Sequence, residues 1–284
     1  MESILKWVRG QDKTSALVVL AFATVIATAI VLWLPGLLPP ASPENIWPSV
    51  IFPAVFFGGF IVTAVTWGLV AKTSVIPLGN APLKMMPAGL AVGLVGLATA
   101  TIYATLAGTI QPAANERNLL LIVLGTLVTL YQSAAEEIYF RGWLQGILSR
   151  VFGAWAGVIT AAGLFALLHV LAGVVTSPVS FINLVLAGLL FGLLAMRTGG
   201  IVASIAAHFS WNWAESILLG LSPNPGADVW GSIFDLDMTG SALWGGSEEG
   251  LNASLAVTFV LLALCAPLIL WRKPVGSVAT APAE

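Results

Sequence analysis

The hexapeptide EEIYFR, Glu136 to Arg141, places two carboxylates and a guanidinium inside an otherwise apolar run. An ionisable side chain in hydrocarbon costs about 2.5–3.5 kcal/mol on insertion scales, so each needs a partner, water or a task. Glu137 and Arg141 are four positions apart and share one helical face, where an ion pair lowers the cost of burying both. Glu136 is turned about 100° from Glu137 and cannot use that partner on that face. It is left free for chemistry. Two further stretches carry polar stripes: FALLH, Phe165 to His169, and HFSWN, His208 to Asn212, the second continued by Glu215. They contain the chain's 2 histidines.

A carboxylate and an imidazole that contact one water can take its proton as it attacks a carbonyl. A second imidazole and an amide N–H are the donors an oxyanion hole requires. Glu136 and His169 with His208 and Asn212 form such a set, and peptide-bond hydrolysis fits it. The same side chains equally suit zinc, with His169, His208 and Glu136 as ligands and water in the fourth position. The sequence does not choose between them. Plainer readings stand beside both. The glutamates can mark a helix end that reaches the headgroups, His169 can be a hydrogen-bonded core residue, and His208 with Asn212 can join helices. Against the first, glutamate has a short stem, and apolar positions continue through Ile138, Phe140, Trp143, Leu144 and Ile147.

The elements that must position these groups are membrane helices. Of 284 residues, 58% are hydrophobic and 8% charged, and mean hydropathy is +0.97; soluble domains carry about 25% charged residues. Stretches long enough to span a bilayer, about 20 apolar residues, fall at 15–34, 46–71, 88–107, 118–147, 152–172, 179–196, 199–219 and 252–271. The expected fold is an all-α polytopic bundle of about eight transmembrane helices. It forms a single membrane domain, 1–284, with its catalytic core at about 118–219 and a disordered tail at about 274–284.

Charge placement gives the orientation. Lys6, Arg9 and Lys13 precede the first span, Lys72 and Lys84 follow the second, Arg150 the fourth, Arg197 the sixth, and Arg272 and Lys273 the eighth. The intervening loops hold only Arg117, and the loop at 221–251 carries Asp228, Asp235, Asp237, Glu248 and Glu249 without a Lys or Arg. By the positive-inside rule both termini are cytoplasmic. The aromatic residues of that acidic loop fit either an interfacial belt or a lid. Glycines 142, 146, 163, 188 and 192 are read as close helix packing. Cys265, the single cysteine, excludes an internal disulfide. No basic cluster beyond the chain ends points to nucleic acid. The N-terminal stretch is read as a retained helix, being longer than a secretory signal core and lacking a cleavage site.

EExxxR, FxxxH and HxxxN, in this order on three separate spans, resemble the motifs of the CPBP family, the CAAX protease and bacteriocin-processing (Abi) group of intramembrane endopeptidases. The resemblance covers about 118–219; TGSALWGGSEEGLNASL, before the last span, is similar to the family's Gly-rich segment but lacks its Gly-Pro-Glu. It implies that Glu136 and His169 activate water, that His208 and Asn212 are oxyanion donors, and that Glu137 and Arg141 brace the site. It also implies a glutamate-dependent mechanism with no required metal, and a membrane-associated peptide or protein as substrate. Glu215 lies outside the pattern. A proton- or ion-coupled transporter, or a scaffold whose polar groups only lock packing, is the rival reading. One tension is internal: along straight helices entering from the cytoplasm, His169 lies about 25 Å deep and His208 about 14 Å, at roughly 1.5 Å per residue.

Overall fold

A computed structural model describes residues 13–37, 45–71, 73–113, 118–221 and 230–271. The expected tail at 274–284 lies outside the described residues, as do Lys6, Arg9, Lys72, Arg117, Asp228, Arg272 and Lys273. The chain is an all-α bundle. Its helices are α1 (Lys13–Trp33), α2 (Trp47–Ala71), α3 (Pro82–Leu106), α4 (Leu119–Phe152), α5 (Ala154–Leu171), α6 (Pro178–Thr198), α7 (Val202–Trp213) and α8 (Leu255–Leu270). Among the described residues, 6 helices are long and apolar enough to cross a membrane, and α8 is a shorter apolar helix.

Local chemistry sets the boundaries. Asn118 caps α4 by accepting from the Leu120 and Leu121 N–H groups at 3.1 and 3.3 Å, and Ser177 and Ser254 cap α6 and α8 in the same way. Gly153, at φ 90°, separates α4 from α5 in a conformation that side chains disfavour. Two boundaries differ from expectation. Helix α3 starts at Pro82 rather than 88, because proline is preorganised for the first helical turn; part of the expected connector at 73–87 is therefore helical. Helix α4 runs on to Phe152 instead of ending at 147, and its 34 residues exceed what a bilayer needs. Within it, Ile138–Gln145 winds as a π-helix immediately after Glu137. Helix α7 likewise continues as a π segment, Ala214–Leu218.

The loops sort to two ends of the bundle. At the basic end the α2–α3 and α6–α7 connections meet, with Ile201 N–H donating to Pro77 O at 2.8 Å and Asn80 N–H to Thr198 O at 3.2 Å. At the acidic end strands β1 (Ile110–Pro112) and β2 (Leu236–Met238) pair antiparallel, with Ile110 opposite Met238. There too the Thr176 hydroxyl donates to Glu249. In the described part of the acidic loop, strand pairing ties Leu236–Met238 to β1, and the buried Trp230 packs on α4 at Gly125.

Glycines 188 and 192 provide the expected close packing, against Ala162 and against Gln145 with Val158. Gly142 instead faces the backbone of Val75, in a loop, and Gly146 and Gly163 face open space, so the packing role read for those two does not hold. One apolar cluster, including Phe60, Tyr139, Trp143 and Phe165, joins α1, α2, α4 and α5. A second, including Leu97, Phe191, Trp211 and Val260, joins α3, α6, α7 and α8. The polar groups lie at their junction.

Candidate active site

A cavity of about 300 Å³ opens at that junction, and Glu136, His169, His208 and Asn212 all line it. They arrive from α4, α5 and α7. Their meeting removes the depth conflict: α4 overruns the bilayer span, so α5 begins farther toward the basic end than α7 does. The Phe165 ring marks the shared level, with centroids 4.5 Å from His169 and 6.1 Å from His208.

Glu136 is 4% exposed. Its Oε1 lies 3.5 Å from Gln132 Nε2, a long hydrogen bond one turn earlier on α4. Its Oε2 has no hydrogen-bond partner and lies 3.8 Å from His208 Nε2. The carboxylate left out of the Glu137–Arg141 pair by spacing thus keeps one oxygen without a hydrogen bond in the fold.

Glu137 does more than the expected pairing. Its Oε1 accepts from Arg141 Nη1 at 2.8 Å and lies 2.9 Å from His208 Nδ1. Beside a guanidinium this oxygen is an acceptor, so Nδ1 carries the hydrogen and Nε2 is turned toward Glu136. Arg141 is fully buried, donates through Nη2 to Gly188 O at 3.1 Å, and lies 4.8 Å from the Phe165 ring centroid and 5.4 Å from that of Phe191. Aromatic faces replace part of the lost hydration of the cation. Glu137 and Arg141 do not line the cavity; they form the layer beneath it. The π winding of Ile138–Gln145 follows Glu137, and such windings are frequent at functional sites.

His169 Nδ1 lies 2.8 Å from Phe165 O. A carbonyl only accepts, so Nδ1–H donates, and the tautomer with its hydrogen there has Nε2 as the acceptor nitrogen. Asn212 lines the cavity one turn beyond His208, as its spacing predicts. Among the described residues, no three His, Cys, Asp or Glu side chains group so as to hold a metal ion.

Several lining residues escaped the sequence reading. Asn183 donates through Nδ2 to Asn252 O and Ser254 O at 2.8 and 2.9 Å, and accepts from the Thr258 hydroxyl at 2.6 Å, tying α6 to the start of α8. Asn252 donates to Glu215 Oε2 at 3.3 Å. Glu215, read as a continuation of the α7 stripe, is buried outside the cavity lining. An asparagine on an otherwise apolar helix was the available signal for Asn183. At the mouth, burial raises the Glu249 carboxyl, but hydrogen bonds from Thr176, Ser180 and Ser177 outweigh it and hold the group below the usual carboxylate range.

The fold defines a multi-pass helical membrane protein with an internal polar cavity. More particularly, residues 118–214 match the family model Rce1-like, described as type II CAAX prenyl endopeptidase Rce1-like; this stretch carries all three motifs. No curated protein and no solved structure matches the chain.

Proposed function

We propose that the protein is an intramembrane endopeptidase that hydrolyses a peptide bond in a membrane-associated polypeptide, using Glu136 as general base. The observation that carries this is a buried carboxylate oxygen without a hydrogen-bond partner, Glu136 Oε2, in a cavity also lined by both histidines and Asn212. Water held between Glu136 and His169 Nε2 loses a proton to the carboxylate as its oxygen bonds to the scissile carbonyl carbon. The tetrahedral oxyanion is met by the Asn212 amide and by His208. Because the His208 Nδ1–H is given to Glu137, His208 donates to the oxyanion from Nε2 when that nitrogen also carries a hydrogen. Collapse breaks the C–N bond, and the proton held by Glu136 passes to the leaving amine.

Glu137 and Arg141 are positioning residues in this scheme, since they act through His208 and the helix packing. In this reading the reaction needs no metal. The whole chain acts as a single membrane domain with both termini in the cytoplasm. Purified protein in detergent, incubated with a labelled peptide library with and without a zinc chelator, tests the reading. Cleavage that survives chelation is expected. Loss on chelation would transfer the role of Glu136 to a metal, and absence of cleavage by a folded protein would favour the transporter.

A further inference from the structure

Part of the cavity wall lies outside the three motif helices. Asn252, in the short turn Gly250–Ala253 that precedes α8, is half-buried and lines the cavity. Its backbone and its side chain are held separately. The main-chain carbonyl accepts from Asn183 Nδ2 at 2.8 Å, and the same Asn183 nitrogen donates to Ser254 O at 2.9 Å, so main-chain atoms tie the turn to α6. The side chain donates through Nδ2 to Glu215 Oε2 at 3.3 Å. Glu215 is 1% exposed and stands behind the lining, with its other oxygen buried and without a hydrogen-bond partner. Burying a carboxylate with so little compensation is costly, and none of the three motifs uses it. An amide nitrogen donates and a carboxylate accepts, so this contact fixes which way the Asn252 amide faces. The nitrogen is turned back to Glu215, and the oxygen Oδ1 is left toward the cavity.

We infer that Asn252 Oδ1 binds the substrate by accepting a main-chain N–H of the bound polypeptide, and that Glu215 is the positioning residue that keeps this oxygen in place. The inference rests on the protease reading above. A polypeptide leaving water brings a carbonyl and, except at proline, an N–H from every residue, and each needs a partner. In the reaction scheme Asn212 and His208 serve the carbonyl, and Glu136 is engaged with water. Asn252 adds an acceptor for the N–H side from a separate element. Because the contact is to main chain, it steadies the segment without selecting its side chains.

Steady-state cleavage in detergent of a peptide that the wild-type protein cuts, read beside thermal melts, tests the assignment. Asn252→Ala keeps the carbonyl that Asn183 holds but leaves Glu215 buried without its donor, so the melt is expected to fall. KM is expected to rise about 3–10-fold, the worth of one neutral hydrogen bond, with kcat within about twofold. Adding Glu215→Leu removes the stranded carboxylate, and the melt is expected to recover while KM stays raised. Recovery of KM together with the melt would make the pair structural and overturn the inference, as would an unchanged KM in Asn252→Ala. Glu215→Leu alone is the second variant: it is expected to raise KM to a similar extent, and Glu215→Gln to restore it, since the glutamine oxygen still accepts from Asn252 Nδ2. Equal KM values in Glu215→Leu and wild type would also overturn it. In all these outcomes cleavage persists and the protease reading stands. Absence of cleavage by the folded wild-type protein would instead remove that reading, and the role of Asn252 with it.

Discussion

His208 Nδ1 lies 2.9 Å from Glu137 Oε1, the same oxygen that receives Arg141 Nη1 at 2.8 Å. One carboxylate thus neutralises a buried cation and fixes the tautomer of an imidazole at the cavity. Removing it has two separable consequences. Glu137→Ala leaves Arg141 buried and unpaired, which costs about 3–5 kcal/mol. Combining it with Arg141→Met restores most of that stability, yet cleavage stays low because His208 has lost its acceptor. Thermal unfolding in detergent, read beside peptide cleavage, checks both parts.

His169 is only partly buried, and its Nδ1–H donates to the Phe165 carbonyl of its own helix. His169→Ala is expected to leave the unfolding temperature near wild type while lowering the cleavage rate about 10²–10⁴-fold, the usual worth of a general acid–base group. A fall in folded yield equal to the fall in activity would make the residue structural.

Gly142 and Gly146 lie one helical turn apart, yet a Cβ at Gly142 would run into the Val75 carbonyl, whereas Gly146 faces open space. Gly142→Ala is expected to destabilise by about 1–3 kcal/mol through overpacking. Gly146→Ala is expected to be neutral or to stabilise by about 0.5–1 kcal/mol through reduced backbone freedom. Paired thermal melts decide.

The Glu249 carboxyl is held below its ordinary value by hydrogen bonds from Thr176, Ser180 and Ser177, which outweigh its burial. A depressed folded-state value means its contribution is complete above the unfolded value, about 4.3, and fades as pH falls through the lowered folded value. Hydrogen exchange in 230–251 is expected to quicken on acidification through that window. In Glu249→Gln the acid-dependent step is expected to disappear.

Much of this arrangement was legible in the chain because lipid and helix geometry leave few options. Eight apolar stretches and alternating basic loops give eight rods, and spacing of four gives Glu137 with Arg141 and the free Glu136. What the spacing did not disclose involves contacts between distant segments. That His208 completes the Glu137 pair depends on how α7 meets α4, and the asparagines Asn183 and Asn252 meet only when α6 reaches the start of α8. Glu215 shares a stripe with His208 on an ideal helix, but α7 turns into a π segment at Ala214, and the side chain bonds Asn252 outside the cavity lining. The extension of α4 to Phe152 was hidden because its last turns carry Ser149 and Arg150, which read as a polar connector after the span.

Glu136→Gln tests the central claim most directly, because the amide keeps the size and the oxygen facing Gln132 but cannot take a proton from water. Single-turnover cleavage of a peptide substrate by the folded variant is expected to fall at least about 10²-fold, with substrate binding retained. Cleavage by Glu136→Gln at the wild-type rate would contradict a glutamate-driven hydrolysis.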